Sequence, residues 1–150
     1  MDHSSRSHPQ TQAQVSTVEA QPLIAVSDVR ASSRWYSELL GVSGLPEHPH
    51  RDSYDALSSS GRMVLQLHAW DEEHHPNLVN RASASPGHGV LLWFMVEDFD
   101  ASVKRARSLG AEVIEDAHIN PAPGQWEIWL RDPDGYVVVI AGPAGEATGP

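Results

Sequence analysis

The sequence has no cysteine. Disulfide scaffolds, thiolate zinc sites and cysteine nucleophiles are therefore excluded. It also lacks any apolar run long enough to cross a bilayer as a helix. Residues 1–14 lack the apolar core of a secretory signal. A cytoplasmic protein that does not engage membranes is expected. Basic residues are scarce: ten Lys and Arg stand against twenty Asp and Glu, for a formal charge of -10. A nucleic-acid surface needs clustered cations, so nucleic acid is not expected as a partner. The acidity is compatible with a cationic ligand, but such acidity more commonly reflects solubility.

What is present supports a folded unit. The chain has 150 residues, 40% of them hydrophobic, which suits one compact domain or two small fused modules. Residues 1–20 are rich in Ser, Gln and His without periodicity and read as a disordered N-terminal arm, with His3 and His8 in solvent. Beyond it the chain repeats itself. Val26-Ser27-Asp28-Val29-Arg30-Ala31-Ser32-Ser33-Arg34 matches Val96-Glu97-Asp98-Phe99-Asp100-Ala101-Ser102-Val103-Lys104 at an offset of 70 residues.

Each copy follows a strand-like apolar run and continues as an amphipathic helix. Asp28 and Asp98 are suited to cap these helices at their N-termini. Val29, Tyr36, Leu39 and Leu40 mark the apolar stripe of the first, and Phe99, Val103, Ala106 and Leu109 that of the second. Gly41 and Gly110 suit their ends. Further strands are expected at 42–46, 53–58 and 62–69, and again at 111–116, 124–131 and 135–141, with first strands at 21–27 and 88–96. Ser58–Gly61, Pro121–Gly124 and Asp132–Gly135 supply the turns. The predicted fold class is α+β: a βαβββ module at 21–69, a polar linker at 70–87, a second module at 88–142 and a flexible tail at 143–150.

A duplicated βαβββ unit with Val-x-Asp before each helix and Asp132-Pro133-Asp134-Gly135 before the last strand resembles the vicinal oxygen chelate superfamily, over about residues 21–142. That group includes glyoxalase I, extradiol dioxygenases, fosfomycin-resistance enzymes and bleomycin-resistance proteins. The resemblance implies two modules whose curved mixed sheets enclose a cavity, and a homodimer closing it across a two-fold axis. It also implies metal ligands, His or Glu on the first strand of each module and Glu on the last. The matching positions here are Gln21, Gln66, Leu91 and Val139. Leucine and valine cannot ligate, and amides are poor substitutes for carboxylate or imidazole. A cavity with neither metal nor other cofactor is expected. The alternative is a displaced divalent metal: His68 shares a strand face with Gln66, and His88, at the start of the strand bearing Leu91, would join it if the register moved by one. His74 and His75 read as loop surface.

Strand alternation then nominates a lining. Val64, Gln66, His68 and Trp70 share one face; Leu91, Trp93 and Met95 share another. In 124–131, Trp126, Ile128 and Leu130 suit packing under a helix, while Gln125, Glu127, Trp129 and Arg131 face away. Trp129 also matches the position that faces substrate in the superfamily. Trp35 and Trp126 read as core. Trp93 and Trp129 suit a slot for a planar or cationic ligand. Glu127 is read as a partner for a cationic group or as a base, against a plain surface salt bridge to Arg131. With Val139, the candidate binding residues are Gln66, His68, Trp70, Leu91, Trp93, Gln125, Glu127, Trp129 and Val139. No Ser-His-Asp set or phosphate loop is present; Gly87-His88-Gly89 is too short to cradle phosphate. The leading reading is a small-molecule-binding protein that sequesters an aromatic or cationic ligand, in the manner of bleomycin-resistance proteins. The other reading is a lyase, isomerase or dioxygenase, with a displaced metal or with acid–base catalysis by His68 and Glu127.

Overall fold

Two aspartates start the two helices. In the computed structural model Asp28 accepts a hydrogen bond from the Ala31 amide at 3.0 Å, opening α1 (Val29–Leu40). Asp98 does the same for the Ala101 amide at 3.0 Å, opening α2 (Phe99–Ser108). Gly41, at φ 65°, ends α1 in the left-handed conformation that suits a residue without a Cβ. The structure describes residues 19–44, 52–71, 76–78, 87–121 and 124–143. Most of the expected arm, linker and tail, with His3, His8, His74 and His75, lies outside them.

The strands assemble into two like sheets. In the first, β1 (Leu23–Val26), β2 (Ser43–Gly44), β3 (Tyr54–Ser59) and β4 (Arg62–Ala69) stand in the order β1-β4-β3-β2. In the second, β5 (Leu91–Met95), β6 (Glu112–Asn120), β7 (Gln125–Arg131) and β8 (Val137–Pro143) stand in the order β5-β8-β7-β6. The first strand of each sheet pairs parallel with the last, because a helix crosses over between them, and the other pairs are antiparallel. This is the predicted α+β architecture of two βαβββ units, with sheets that stay open and do not close into barrels. Among the described residues, no helix is long and apolar enough to cross a membrane.

One face of each sheet packs under the helices. Leu57, Leu65, Leu67, Ile128, Leu130, Val138 and Ile140 are buried there with Tyr36, Leu39, Phe99 and Ala106 in a single core. Two helix serines are buried where apolar residues would be usual. Ser33 donates to Asp55 at 2.5 Å and Ser32 to Asp134 at 3.4 Å, so neither hydroxyl is left unpaired. Leu40, expected in the apolar stripe, is only half-buried.

Several boundaries differ from the sequence reading, β8 for instance running over Val137–Pro143 instead of 135–141. β2 is seen over Ser43–Gly44, and 45–46 of the expected strand lie outside the described residues. β6 runs four residues past its expected end. β5 begins at Leu91, so His88 lies in the turn Gly87–Gly89 and not on the strand. Gly87 and Gly89 take φ of 76° and 80°, which a strand does not accommodate.

The turn Asp132–Gly135 fastens the two modules together. Asp132 is buried and accepts the Tyr36 hydroxyl at 2.6 Å and the Asp134 and Tyr136 amides at 2.8 and 2.9 Å. Asp134 accepts the Ser27 amide at 2.9 Å, and the Tyr136 hydroxyl donates to the Ala25 carbonyl at 2.8 Å. Arg105 of α2 donates to the Leu39 carbonyl at the end of α1, at 3.0 Å. Burial raises the Asp132 pKa above the usual carboxylate value despite these donors. Burial, with the Asp132 charge beside it, raises that of Tyr36.

Tyr36→Phe should leave the buried Asp132 short of one donor. A loss of about 1.5–3 kcal/mol is expected, the scale of a hydrogen bond to a charged group. Urea denaturation should show a lower midpoint at unchanged slope; an unmoved midpoint would mean that the clasp does not hold the modules.

Candidate functional site

The face of the second sheet turned away from the helices carries the nominated lining. Trp93 pairs with Val139, which pairs with Trp129, so all three project to the same side. Leu91, Trp93 and Met95 remain 46%, 41% and 60% exposed. Trp93 and Trp129 meet edge to face with ring centroids 6.4 Å apart, the arrangement the indole quadrupole favours. Ile128 and Leu130 are buried on the opposite side, and Trp126 stacks on Phe99 at 6.0 Å. Trp126 and Trp35 both pack against the core, as their sequence context predicts.

Glu127 lies at the centre of this face and is only 2% exposed. One of its oxygens accepts Asn120 Nδ2 at 3.0 Å and Gln125 Nε2 at 3.5 Å; the other accepts Trp129 Nε1 at 3.1 Å. His118 Nε2 stands 3.8 Å from that second oxygen. Burial alone would raise this carboxyl. The hydrogen bonds from Asn120, Trp129 and Gln125, with the adjacent His118, outweigh it and hold the pKa below its usual 4.5. The salt bridge to Arg131 weighed from the sequence does not form. Arg131 instead donates to the Gly135 carbonyl at 3.0 Å and stands 3.8 Å from Glu112. Glu127 thus orients the Trp129 indole and the side chains around it.

His118 and Asn120 did not emerge from the sequence. The register runs from Glu115 opposite Trp129 to His118 opposite Glu127. Three steps along β6 face two along β7, which is a β-bulge of one extra residue. Simple alternation would send Glu115 and His118 to opposite faces; the bulge brings both to the open one. The segment 111–116 reads as a short strand, and nothing in its composition announced a continuation past Asp116.

The first sheet presents Gln66, His68 and Trp70 separately. Gln66 accepts the Tyr54 hydroxyl at 2.7 Å and donates to the Gln21 carbonyl at 2.9 Å. His68 Nδ1 lies 2.6 Å from the Ala69 carbonyl, and its ring meets Tyr54 edge on. Trp70 is half-buried just beyond β4. His68 and Glu127 lie on different sheets, and His68 is not among the groups hydrogen-bonded to Glu127. His88 sits in its exposed turn, on the rim of a cleft of about 680 Å³ with Leu91, Arg131, Asp134 and Val137. Leu91, Val137 and Arg131 belong to the open face, so this cleft adjoins the tryptophan pair.

The four positions matching superfamily metal ligands do not fit a metal. Leu91 and Val139 have no donor atom, and the Gln66 amide is taken up by Tyr54 and Gln21. Among the described residues no three His, Asp or Glu side chains are placed to hold one.

Residues 15–140 match the Glyoxalase/Bleomycin resistance protein/Dioxygenase superfamily. The chain belongs to this superfamily. Solved structures agree on the fold. A glyoxalase/bleomycin resistance protein/dioxygenase family enzyme from Burkholderia phytofirmans PsJN aligns with a TM-score of 0.67 at 21% identity, over 81% of this chain and 95% of that one. TioX from Micromonospora sp. ML1 aligns at 0.65 and 17% identity, over 84% and 98%. A lactoylglutathione lyase from Agrobacterium tumefaciens aligns at 0.62 and 20% identity, over 85% and 94%. No match is found among curated protein sequences.

Glu127 has a pH signature. Its pKa is lowered on folding, so the stability it contributes is fully present above the usual 4.5 and is lost as pH falls through the folded value. The stability gap between wild type and Glu127→Gln should therefore narrow as pH drops below 4.5. Denaturation curves across that range check it; a gap independent of pH would contradict the assignment.

Proposed function

We propose that this superfamily member is a cytoplasmic small-molecule-binding protein that takes up an aromatic ligand on the open face of its second sheet and uses no metal there. The observation that carries this reading is the Trp93–Trp129 pair. The two rings stand at a fixed angle, one tethered to a buried carboxylate, on an apolar face where Leu91, Trp93 and Met95 are exposed among the described residues. A planar ligand can stack on the exposed indole, and a cationic one gains from its π face. The hydrogen bonds on Glu127 favour the aromatic over the cationic element of the sequence reading, because both carboxylate oxygens already accept donors.

The protein acts as a symmetric homodimer in this reading. Leu91, Trp93 and Met95 together leave a contiguous apolar surface on one side of one sheet, and such surfaces usually mark a binding or association site. A second copy can cover it, and a two-fold axis would give each chain the same enclosed site.

Three measurements test the proposal. Planar aromatic compounds should quench the indole fluorescence, and Trp93→Ala or Trp129→Ala should weaken their binding by about 1–3 kcal/mol, the scale of stacking on an aromatic side chain. Affinities unchanged in both variants would sink the assignment of the site. Thermal melts with Ni, Zn, Mn or Fe(II) should overlay the EDTA melt, since a metal at a hundredfold excess over its Kd would add about 2.7 kcal/mol. Light scattering should give about twice the 16.4 kDa chain mass; the single-chain mass at micromolar concentration would refute the dimer.

A further inference from the structure

We propose that His118 is the polar anchor of this aromatic site, accepting at Nε2 a hydrogen bond from the hydroxyl or N–H of a phenolic or N–H-bearing arene held against Trp93 and Trp129. The inference rests on the binding reading above and names the ligand chemistry it implies.

The tautomer follows from the backbone. His118 Nδ1 lies 2.8 Å from the Asp116 carbonyl. A carbonyl oxygen only accepts, so Nδ1 carries a proton, and in the neutral ring Nε2 keeps its lone pair. Both groups belong to the bulged segment, so the distortion that turns the ring onto the open face also fixes its orientation. Nε2 makes no hydrogen bond to a described residue. Its nearest carboxylate oxygens are those of Glu115 at 3.7 Å and Glu127 at 3.8 Å, beyond the 2.7–3.2 Å range of an N–H···O bond.

The surroundings select a donor. The imidazole lone pair and the Glu115 carboxylate present acceptors side by side, and the Glu127 oxygen next to them is already engaged by the Trp129 indole. An ether, ketone or carboxylate brought there would face only other acceptors, whereas an O–H or N–H finds a partner. The point lies beside the rings. Trp129 Nε1 and His118 Nε2 approach the same Glu127 oxygen, at 3.1 and 3.8 Å, and Glu115 pairs across the strands with Trp129. An arene on the tryptophan pair therefore has His118 at its edge. Glu127, with both oxygens taken, is the positioning residue for both groups.

The test compares 2-naphthol with 2-methoxynaphthalene by isothermal titration calorimetry at about pH 8, above the range where histidines ordinarily take a second proton. A purely apolar slot would favour the methyl ether. The wild type should instead prefer the naphthol about fivefold, the effect of one net hydrogen bond. His118→Val, a substitution suited to a strand, should abolish that preference and leave methoxynaphthalene affinity within about twofold. His118→Gln, whose amide oxygen accepts, should retain part of it. Equal binding of both compounds by the wild type, or a full preference surviving in His118→Val, overturns the anchor and leaves the aromatic site standing. Failure of the wild type to bind either compound overturns both. The wild-type comparison decides by itself should the valine variant not fold.

Discussion

The two modules share one core because a buried carboxylate joins them. Asp132 sits in the turn before β8, yet its charge is met by the Tyr36 hydroxyl from α1 as well as by its own turn amides. An isolated charge at this depth would be prohibitively costly, and a hydrogen-bonded one still carries a desolvation penalty. Asp134 and Tyr136 extend the same turn onto Ser27 and Ala25 of the first module. The helices can then pack against each other while both sheets turn their other faces outward. The position of the open face on the second sheet follows from this clasp.

That open face derives its order from a second buried carboxylate used differently. Among the described residues no Lys or Arg pairs with Glu127, and it is held ionised mainly by amide and indole N–H groups, with His118 beside it. The set is a satisfied polar network within an apolar surface, and such networks fix side chains in place more than they stabilise a fold. The superfamily positions that would receive a metal are meanwhile occupied by two aliphatic side chains and two glutamines, of which Gln66 is bonded to its neighbours. The order of the site is thus carried from β8 and β4 to β7 and β6.

The sequence disclosed the parts governed by local rules. The repeat, the Asp28 and Asp98 caps and the alternation of Trp126, Ile128 and Leu130 against Gln125, Glu127 and Trp129 are near-neighbour effects, and the structure matches them. The role of Asp132–Gly135 was hidden because its partners, Tyr36, Ser27 and Ala25, are about a hundred residues away. His118 was hidden because the strand was expected to end at 116 and its ladder slips twice before His118, between Val113 and Glu115 and between Glu115 and His118. His88 looked like a strand residue until the positive φ of its flanking glycines placed it in a turn. The burial of Glu127 was equally invisible, since its amide partner Asn120 lies beyond those same slips.

The bulge has a bearing on solubility as well. β6 is the outermost strand of its sheet and, at nine residues, a long one. A straight strand of that length would offer a row of unpaired backbone groups to any extended chain, which is how sheets recruit further strands and aggregate. The irregular ladder interrupts that row near its middle, and Glu112, Glu115 and Asp116 place negative charge along it. In a chain whose net charge is already strongly negative, the irregularity that orients His118 also makes this margin a poor template for another strand.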